Sequence, residues 1–271
     1  MSTTSLHSAP PAPFDALAAT YDELFTHSLI GRAQRDMVWK HIDQLWMSGD
    51  RVLELNCGTG EDALHLASKG INVTACDASA AMIAIARERM EIEARSACVE
   101  FHTISNEHLD QVSVERQFDG VLSNFSGLNC VHDLDMVARQ LAALVRREAT
   151  LALCLSTRFC AWEFLWYALR GDVKKGVRRW KGQTLAHIGD DQISVWYPTM
   201  RQLSRAFAPW FQLEQIVGIG TAIPPSYAEN WASEHPGLFN TLKRIDRRIH
   251  TLPLARVLGD HVLLRFRRCP A

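Results

Sequence analysis

The chain has 271 residues, of which 47% are hydrophobic and 22% charged, and its formal net charge is -1. That is an ordinary globular balance in a chain long enough for one large domain or two small ones. The near-zero charge argues against an obligate, charge-driven nucleic-acid binder, and no apolar run approaches the roughly 18–20 residues that cross a bilayer.

Residues 1–14, MSTTSLHSAPPAPF, lack the positive and apolar regions of a secretion signal and read as a short flexible tail. Residues 15–271 then read as a single domain. A helix is expected from 15 to 25. Gly31 interrupts it, and a second helix follows over 33–46, with Met37, Val38, Ile42, Leu45 and Trp46 on one face. These N-terminal helices span 15–47 and stop at Ser48-Gly49-Asp50.

Strands and helices then alternate. Strands are predicted at 51–55, 71–76, 98–104, 118–123 and 150–155. Between them fall helices at 61–68, 80–93 and 132–147 and a short turn near 107–112. Repeated βα units with apolar strands give an α/β fold, a doubly wound parallel sheet covered on both faces. The seven cysteines lie scattered without a C-x-x-C pair, which points away from bound metal and from a disulfide framework and fits reduced thiols in the cytoplasm.

Beyond 155 the pattern changes. Residues 159–170, FCAWEFLWYALR, are apolar nearly all round, and a basic stretch follows at 174–181. A strand at 192–197, a helix at 200–208, and neighbouring strands at 211–218 and 261–266 complete the chain. Two insertions, near 158–199 and 221–259, interrupt the core alternation.

The strongest local signal is RVLELNCGTGEDA, residues 51–63, a strand running through a glycine turn into a helix. Gly58 and Gly60 let backbone approach a ligand closely, Asn56 tolerates a positive φ, and the helix aims free N–H groups above the turn. Gly58, Gly60 and Ala63 fit G-x-G-x-x-A, and Asp77 stands where an acid binds a ribose hydroxyl. Both features suit NAD or S-adenosylmethionine (SAM). Glu54, beside the turn, separates them: a carboxylate repels a pyrophosphate and favours a sulfonium and an ammonium.

Glu54-Leu55-Asn56-Cys57-Gly58-Thr59-Gly60 resembles the first motif of class I SAM-dependent methyltransferases, with Asn56 in place of the first glycine. Asp77 matches the family's acid after the second strand, FDGVLSNFSGLN (118–129) its fourth motif, and Ala19-Thr20-Tyr21-Asp22 the helix that many members fold over the cofactor. The resemblance implies a mostly parallel seven-stranded sheet with helical insertions as a lid, and SAM as cofactor. It implies that Glu54, Asn56, Cys57, Gly58, Thr59, Gly60, Asp77, Ala78 and Met82 bind that cofactor. Tyr21 would cover the sulfonium, and Asn124, Phe125 and Ser126 would line the methyl-facing wall. Ser105 and Asn106 stand where many members carry an acid that meets the adenine amine.

The acceptor is expected to be a small hydrophobic or aromatic metabolite, methylated on oxygen or nitrogen by in-line displacement, as in biosynthetic enzymes. His132 is the candidate proton acceptor; alternatively it begins a helix and faces solvent. His102 reads as a core histidine on a strand. Trp162 and Trp166, with His187, are candidates for the substrate side, either as an apolar lid or as a helix buried against the domain or a second subunit of a homodimer. Lys174, Lys175, Arg178 and Arg179 would share one side of a helix, where they form a solvated face or hold an anionic group. An NAD-dependent oxidoreductase and an RNA methyltransferase are the competing readings.

Overall fold

A computed structural model describes residues 12–93, 99–113, 115–188 and 191–270. Most of the expected tail, residues 1–11, and the first residue of the expected strand 98–104 therefore lie outside the described residues.

Residues 13–26 form one helical run whose pitch changes twice: a 3₁₀ turn at Pro13–Leu17, helix α1 at Ala18–Tyr21, and a π turn at Asp22–Thr26. Helix α2, Leu29–Ile42, begins at Ser28, whose hydroxyl accepts the Gly31 N–H at 3.0 Å. Gly31 is thus inside the helix rather than an interruption. It is glycine because an added Cβ would fall 2.0 Å from the Phe25 carbonyl oxygen, where the preceding turn folds back.

The βα alternation follows as the sequence predicts: β1 Arg51–Leu55, α3 Glu61–Ser68, β2 Asn72–Asp77, α4 Ala80–Glu93, β3 Val99–Thr103, β4 Phe118–Ser123, α5 Leu134–Leu144 and β5 Val145–Ser156. Helix α5 ends earlier than expected. Residues 145–147 extend β5, with Val145 pairing with Phe118 of β4. After β5 come α6 Ala161–Ala168, α7 Val173–Gly176, the hairpin strands β6 Gln183–Ile188 and β7 Asp191–Trp196, and α8 Met200–Phe207. Strand β8 Phe211–Ile219, helices α9 Glu229–Glu234 and α10 Pro236–Ile249, and β9 His261–Arg268 complete the fold.

Seven strands make one sheet in the order β3-β2-β1-β4-β5-β9-β8, parallel except for β9, which runs antiparallel between β5 and β8. Strand alternation divides the side chains between two cores. Leu53, Leu55, Leu151 and Leu153 pack under α5 and α8. Val52, Ala75, Ala152 and Cys154 pack under α2, α3 and α4. Burial pushes the thiols of Cys57, Cys76, Cys154 and Cys160 up, so they stay protonated and act as small apolar groups. Among the described residues, no helix is long and apolar enough to cross a membrane.

Strand β6 has no counterpart among the predicted elements, because Gln183–Ile188 (QTLAHI) alternates only weakly in polarity. It forms a separate two-stranded sheet with β7. His102 is also placed otherwise than expected: β3 is the edge strand, and the side chain is 46% exposed, 3.8 Å from Glu100.

His41 on α2 faces His250 at a ring separation of 5.2 Å, and its Nε2 has no hydrogen-bond partner. Burial, followed by the His250, Lys40 and Arg265 charges, pushes its pKa down to about 4. The unfolded chain binds that proton at about pH 6.5, so stability is full above that value and falls as pH drops towards about 4. Thermal melts at pH 7 and 5 should show a smaller acid loss in His41→Gln than in the wild type; equal losses would remove His41 as the cause.

Candidate functional site

The chain leaves β1 through a turn in which Asn56, Gly58 and Gly60 take φ values of 47°, 54° and 81°. Asp77, at the end of β2, holds this turn. Its Oδ2 accepts the Gly58 N–H and its Oδ1 the Ser79 N–H, each at 2.9 Å. Burial pushes the Asp77 carboxyl up from its ordinary range, and these two N–H bonds oppose that.

A cavity of about 520 Å³ opens above the turn. Asn56 and Gly58 line it from the turn, and Asp77, Ala78 and Met82 from β2 and α4. Ser105 and Asn106 line it after β3; Asn124, Phe125 and Ser126 line it after β4. Residues far apart in sequence meet here because parallel strands bring all their carboxyl ends to one edge of the sheet. The Asn124 side chain, however, is engaged behind the wall: Nδ2 donates to Asp62 Oδ2 at 3.0 Å, and Oδ1 accepts the Phe125 N–H at 3.0 Å.

Four predicted cofactor residues do not line the cavity. Cys57 is buried, with its N–H bonded to the Cys76 carbonyl. The Thr59 hydroxyl donates to Asp22 Oδ1 at 2.6 Å. Gly60 makes room for neighbours, since a Cβ there would come within 2.9 Å of Ala86 Cβ. Glu54 is 1% exposed, because alternation turns it to the Val52 face beneath α2 and α3. Its Oε2 has no hydrogen-bond partner, and burial, reinforced by Asp62, pushes its pKa well up.

The N-terminal run closes one side. Asp15 Oδ1 accepts the Ser79 hydroxyl at 2.5 Å and the Ala81 N–H at 3.2 Å, and Asp22 pairs with Arg89, so Pro13, Phe14 and Tyr21 are held against the cavity. Burial pushes the Tyr21 phenol up to about 12, so the ring is a neutral wall. The β6–β7 hairpin covers the other side with Ala186, Ile188, Ile193 and Val195. His187 alternates outward from that hairpin and is exposed.

Asn56, which stands where the family motif has glycine, joins three strand ends. Its Nδ2 donates to the Asn124 carbonyl at 3.1 Å, and its Oδ1 accepts the Ser123 hydroxyl at 3.1 Å and Asn106 Nδ2 at 3.4 Å. Gly127 makes space for that amide: a Cβ there would lie 2.0 Å from Asn56 Cγ. Gly127→Ala should therefore cost about 1–3 kcal/mol of stability by overpacking. Adding Asn56→Gly should restore most of it, giving a strong coupling in a double-mutant cycle read by urea melts. Additive losses would contradict the reciprocal fit.

A second cavity, of about 410 Å³, lies on the far side of Tyr21, Phe125 and Ser126, which line both. Phe25 and Tyr227 add aromatic surface, and Ser156, Arg178 and His261 add polar groups. Phe125 and Ser126 are both at positive φ, 48° and 71°, in the loop that forms this shared wall. Arg35 lies behind it, 4.9 Å from the centre of the Phe125 ring and paired with Asp62.

The predicted substrate residues lie elsewhere. His132 is exposed and packs edge-on against Trp196 at 4.5 Å. Trp162 Nε1 donates to the Ala222 carbonyl at 2.7 Å, and its ring is 6.2 Å from Trp231. Trp166 is 6.0 Å from Tyr227, under the Arg170 guanidinium. These two tryptophans join the insertions to each other and line neither cavity. Nor does the basic stretch form one helical face. It breaks after α7, and Arg178 and Arg179 turn inward to Glu163. Arg35, Asp62, Glu163, Asp260 and His261 give no signal in the sequence, because isolated charged residues carry no local pattern, and Arg179 reads there only as part of a basic face.

A glycine turn beneath a cavity, a carboxylate closing the second strand, and a single antiparallel strand inside a parallel sheet define an adenosyl-binding, Rossmann-like class of protein. Residues 52–148 match the methyltransferase-domain family. Over these residues the chain is similar to methyltransferase domains, and its fold is that of solved SAM-dependent methyltransferases. Demethylmenaquinone methyltransferase of Thermobifida fusca is 30% identical over 145 residues, 53% of this chain and 59% of that protein. A 2-phytyl-1,4-naphtoquinone methyltransferase of Synechococcus elongatus is 31% identical over 147 residues, 52% of this chain and 60% of that protein. The chain thus spans little more than half the length of these relatives. DhpI in complex with SAH shares the fold with a TM-score of 0.57 at 16% identity, over 95% of this chain and 94% of that one. So does the [4+2]-cyclase SpnF, with a TM-score of 0.62 at 17% identity, over 97% and 98%.

The residues present fit SAM. Asp77 brings a carboxylate to the cavity lining and, on top of burial, it and Asp62 both raise the pKa of Glu54 behind the turn. A positive group above would relieve that field, and a diphosphate would add to it.

Proposed function

We propose that the protein transfers the methyl group of SAM, by in-line displacement, to an oxygen or nitrogen atom of a small aromatic metabolite. The observation that carries this reading is the wall of Tyr21, Phe125 and Ser126 shared by two cavities, one suited to a nucleoside and one lined by aromatic rings. When bound, the cofactor supplies a methyl group already activated on a sulfonium. The chain's own contribution is alignment and exclusion of water. Asp77 accepts hydrogen bonds from ribose hydroxyls, Ser105 and Asn106 bound the adenine end, and the Tyr21 ring offers its face to the positive sulfur. Phe125 and Ser126, with Tyr21, form the wall at which the acceptor and the methyl group would meet.

The quinone methyltransferases among the relatives support an aromatic, quinone-like acceptor. The buried, protonated thiols accord with a cytoplasmic setting. Calorimetry with SAM and with NADH tests the cofactor, and chromatographic detection of S-adenosylhomocysteine with a panel of phenols, hydroquinones and aromatic amines tests the acceptor. Binding of NADH in preference to SAM would overturn the proposal in favour of an oxidoreductase.

A further inference from the structure

His261 opens β9, at the same sheet edge as Ser126 and Ser156, and lines the second cavity. Its residue is 8% exposed, and its ring packs edge-on against Phe125 at 5.6 Å, which places it at the wall shared with the cofactor cavity. Nδ1 lies 3.4 Å from Asp260 Oδ2 without the alignment of a hydrogen bond. Asp260 is itself clamped: Arg179 Nη2 donates to Oδ1 at 2.9 Å, Arg179 Nη1 to the main-chain carbonyl at 3.2 Å, and Gln34 Nε2 to Oδ2 at 3.4 Å.

We propose that His261 is the proton acceptor of the site, oriented by Asp260, and that its partner is the hydroxyl of a phenol or hydroquinone seated in the second cavity. This rests on the methyl-transfer reading above and narrows its acceptor from oxygen or nitrogen to an aromatic hydroxyl. The carboxylate beside Nδ1 favours the tautomer protonated there and leaves the Nε2 lone pair free. The aromatic lining from Phe25, Phe125 and Tyr227 suits a flat ring. The acceptor oxygen gives its proton to Nε2 and forms the new bond to the methyl carbon. The electron pair of the broken carbon–sulfur bond stays on sulfur, leaving a neutral thioether, an aryl methyl ether and an imidazolium. Burial holds His261 below its ordinary pKa, opposed by Asp260 and reinforced by Arg179, so the ring is neutral and able to accept at pH 7.

The probe is para-nitrophenol, whose phenol and phenolate forms differ in visible absorption. NMR titration of the free protein should place the His261 midpoint below that of an ordinary histidine, leaving the ring neutral at pH 7. Adding the probe should protonate the ring and give a bound phenolate spectrum. His261→Gln should bind the probe as the phenol, about tenfold more weakly. Asp260→Asn should give an intermediate spectrum. SAM affinity by calorimetry should change by less than about twofold in His261→Gln, a loss too small to reflect a missing hydrogen bond. An unprotonated His261 in the presence of the probe, no binding of the probe, or a phenolate retained in His261→Gln would overturn the assignment. Failure of the wild type to bind SAM would instead overturn the methyl-transfer reading, whatever the probe shows.

Discussion

Asp77→Ala should weaken SAM binding by about 2–4 kcal/mol, on the order of a hundredfold in Kd, since two charge-assisted hydrogen bonds at roughly 1.5–3 kcal/mol each are lost and partly overlap. The structure makes this more than the loss of a ribose contact. The same carboxylate accepts the Gly58 and Ser79 N–H groups, so the substitution also frees the glycine turn beneath the cavity. Asp77→Asn keeps one acceptor oxygen and should fall between the two. Calorimetry on the purified variants reads both. An affinity in Asp77→Ala within about twofold of the wild type, well under one such hydrogen bond, would exclude Asp77 from the ribose site.

Arg179→Met should lower stability by about 3–5 kcal/mol, the usual cost of leaving buried charge uncompensated, or about 6–20 °C in Tm for a chain of this length. Arg179 is 9% exposed and pairs with Glu163 at 2.7 Å and Asp260 at 2.9 Å. Glu163 keeps Arg178, but Asp260 would retain only Gln34 and a neutral His261 nearby. Burial raises the Asp260 pKa, and the net shift is nonetheless downward, which the Arg179 cation helps to sustain. Combining Arg179→Met with Asp260→Asn should recover part of the loss, because the stranded charge is gone. Urea melts decide the matter: a loss below about 1 kcal/mol would show the pair to be no stronger than a surface ion pair.

Much of the fold was legible because its signals are local. Strands β1 and β4 and helices α3 and α4 fall where the apolar spacing puts them, and Gly58, Gly60 and Asp77 mark the turn by residue type and distance along the chain. Strand β6 was not legible, since a hairpin closing on a cavity has one side apolar only in context. Gly31 misled for a related reason: glycine usually ends a helix, but here contact with the Phe25 carbonyl demands it inside one. Trp162 and Trp166 read equally as a substrate lid or as a buried helix, because aromatic density says that a surface is covered, not what covers it.

The chain by itself thus determined the glycine turn after β1 and the acid after β2, where each strand carries its cavity-lining residues at its own carboxyl end and the order of the strands brings them together. Only the tertiary structure decided the rest. Glu54 faces inward because of strand alternation within a packed sheet, Asn56 is accommodated by Gly127, and His261 meets Phe125 from 136 residues away because β9 inserts antiparallel beside β5. Those relations depend on which element lies beside which, a property of packing that no window along the sequence contains.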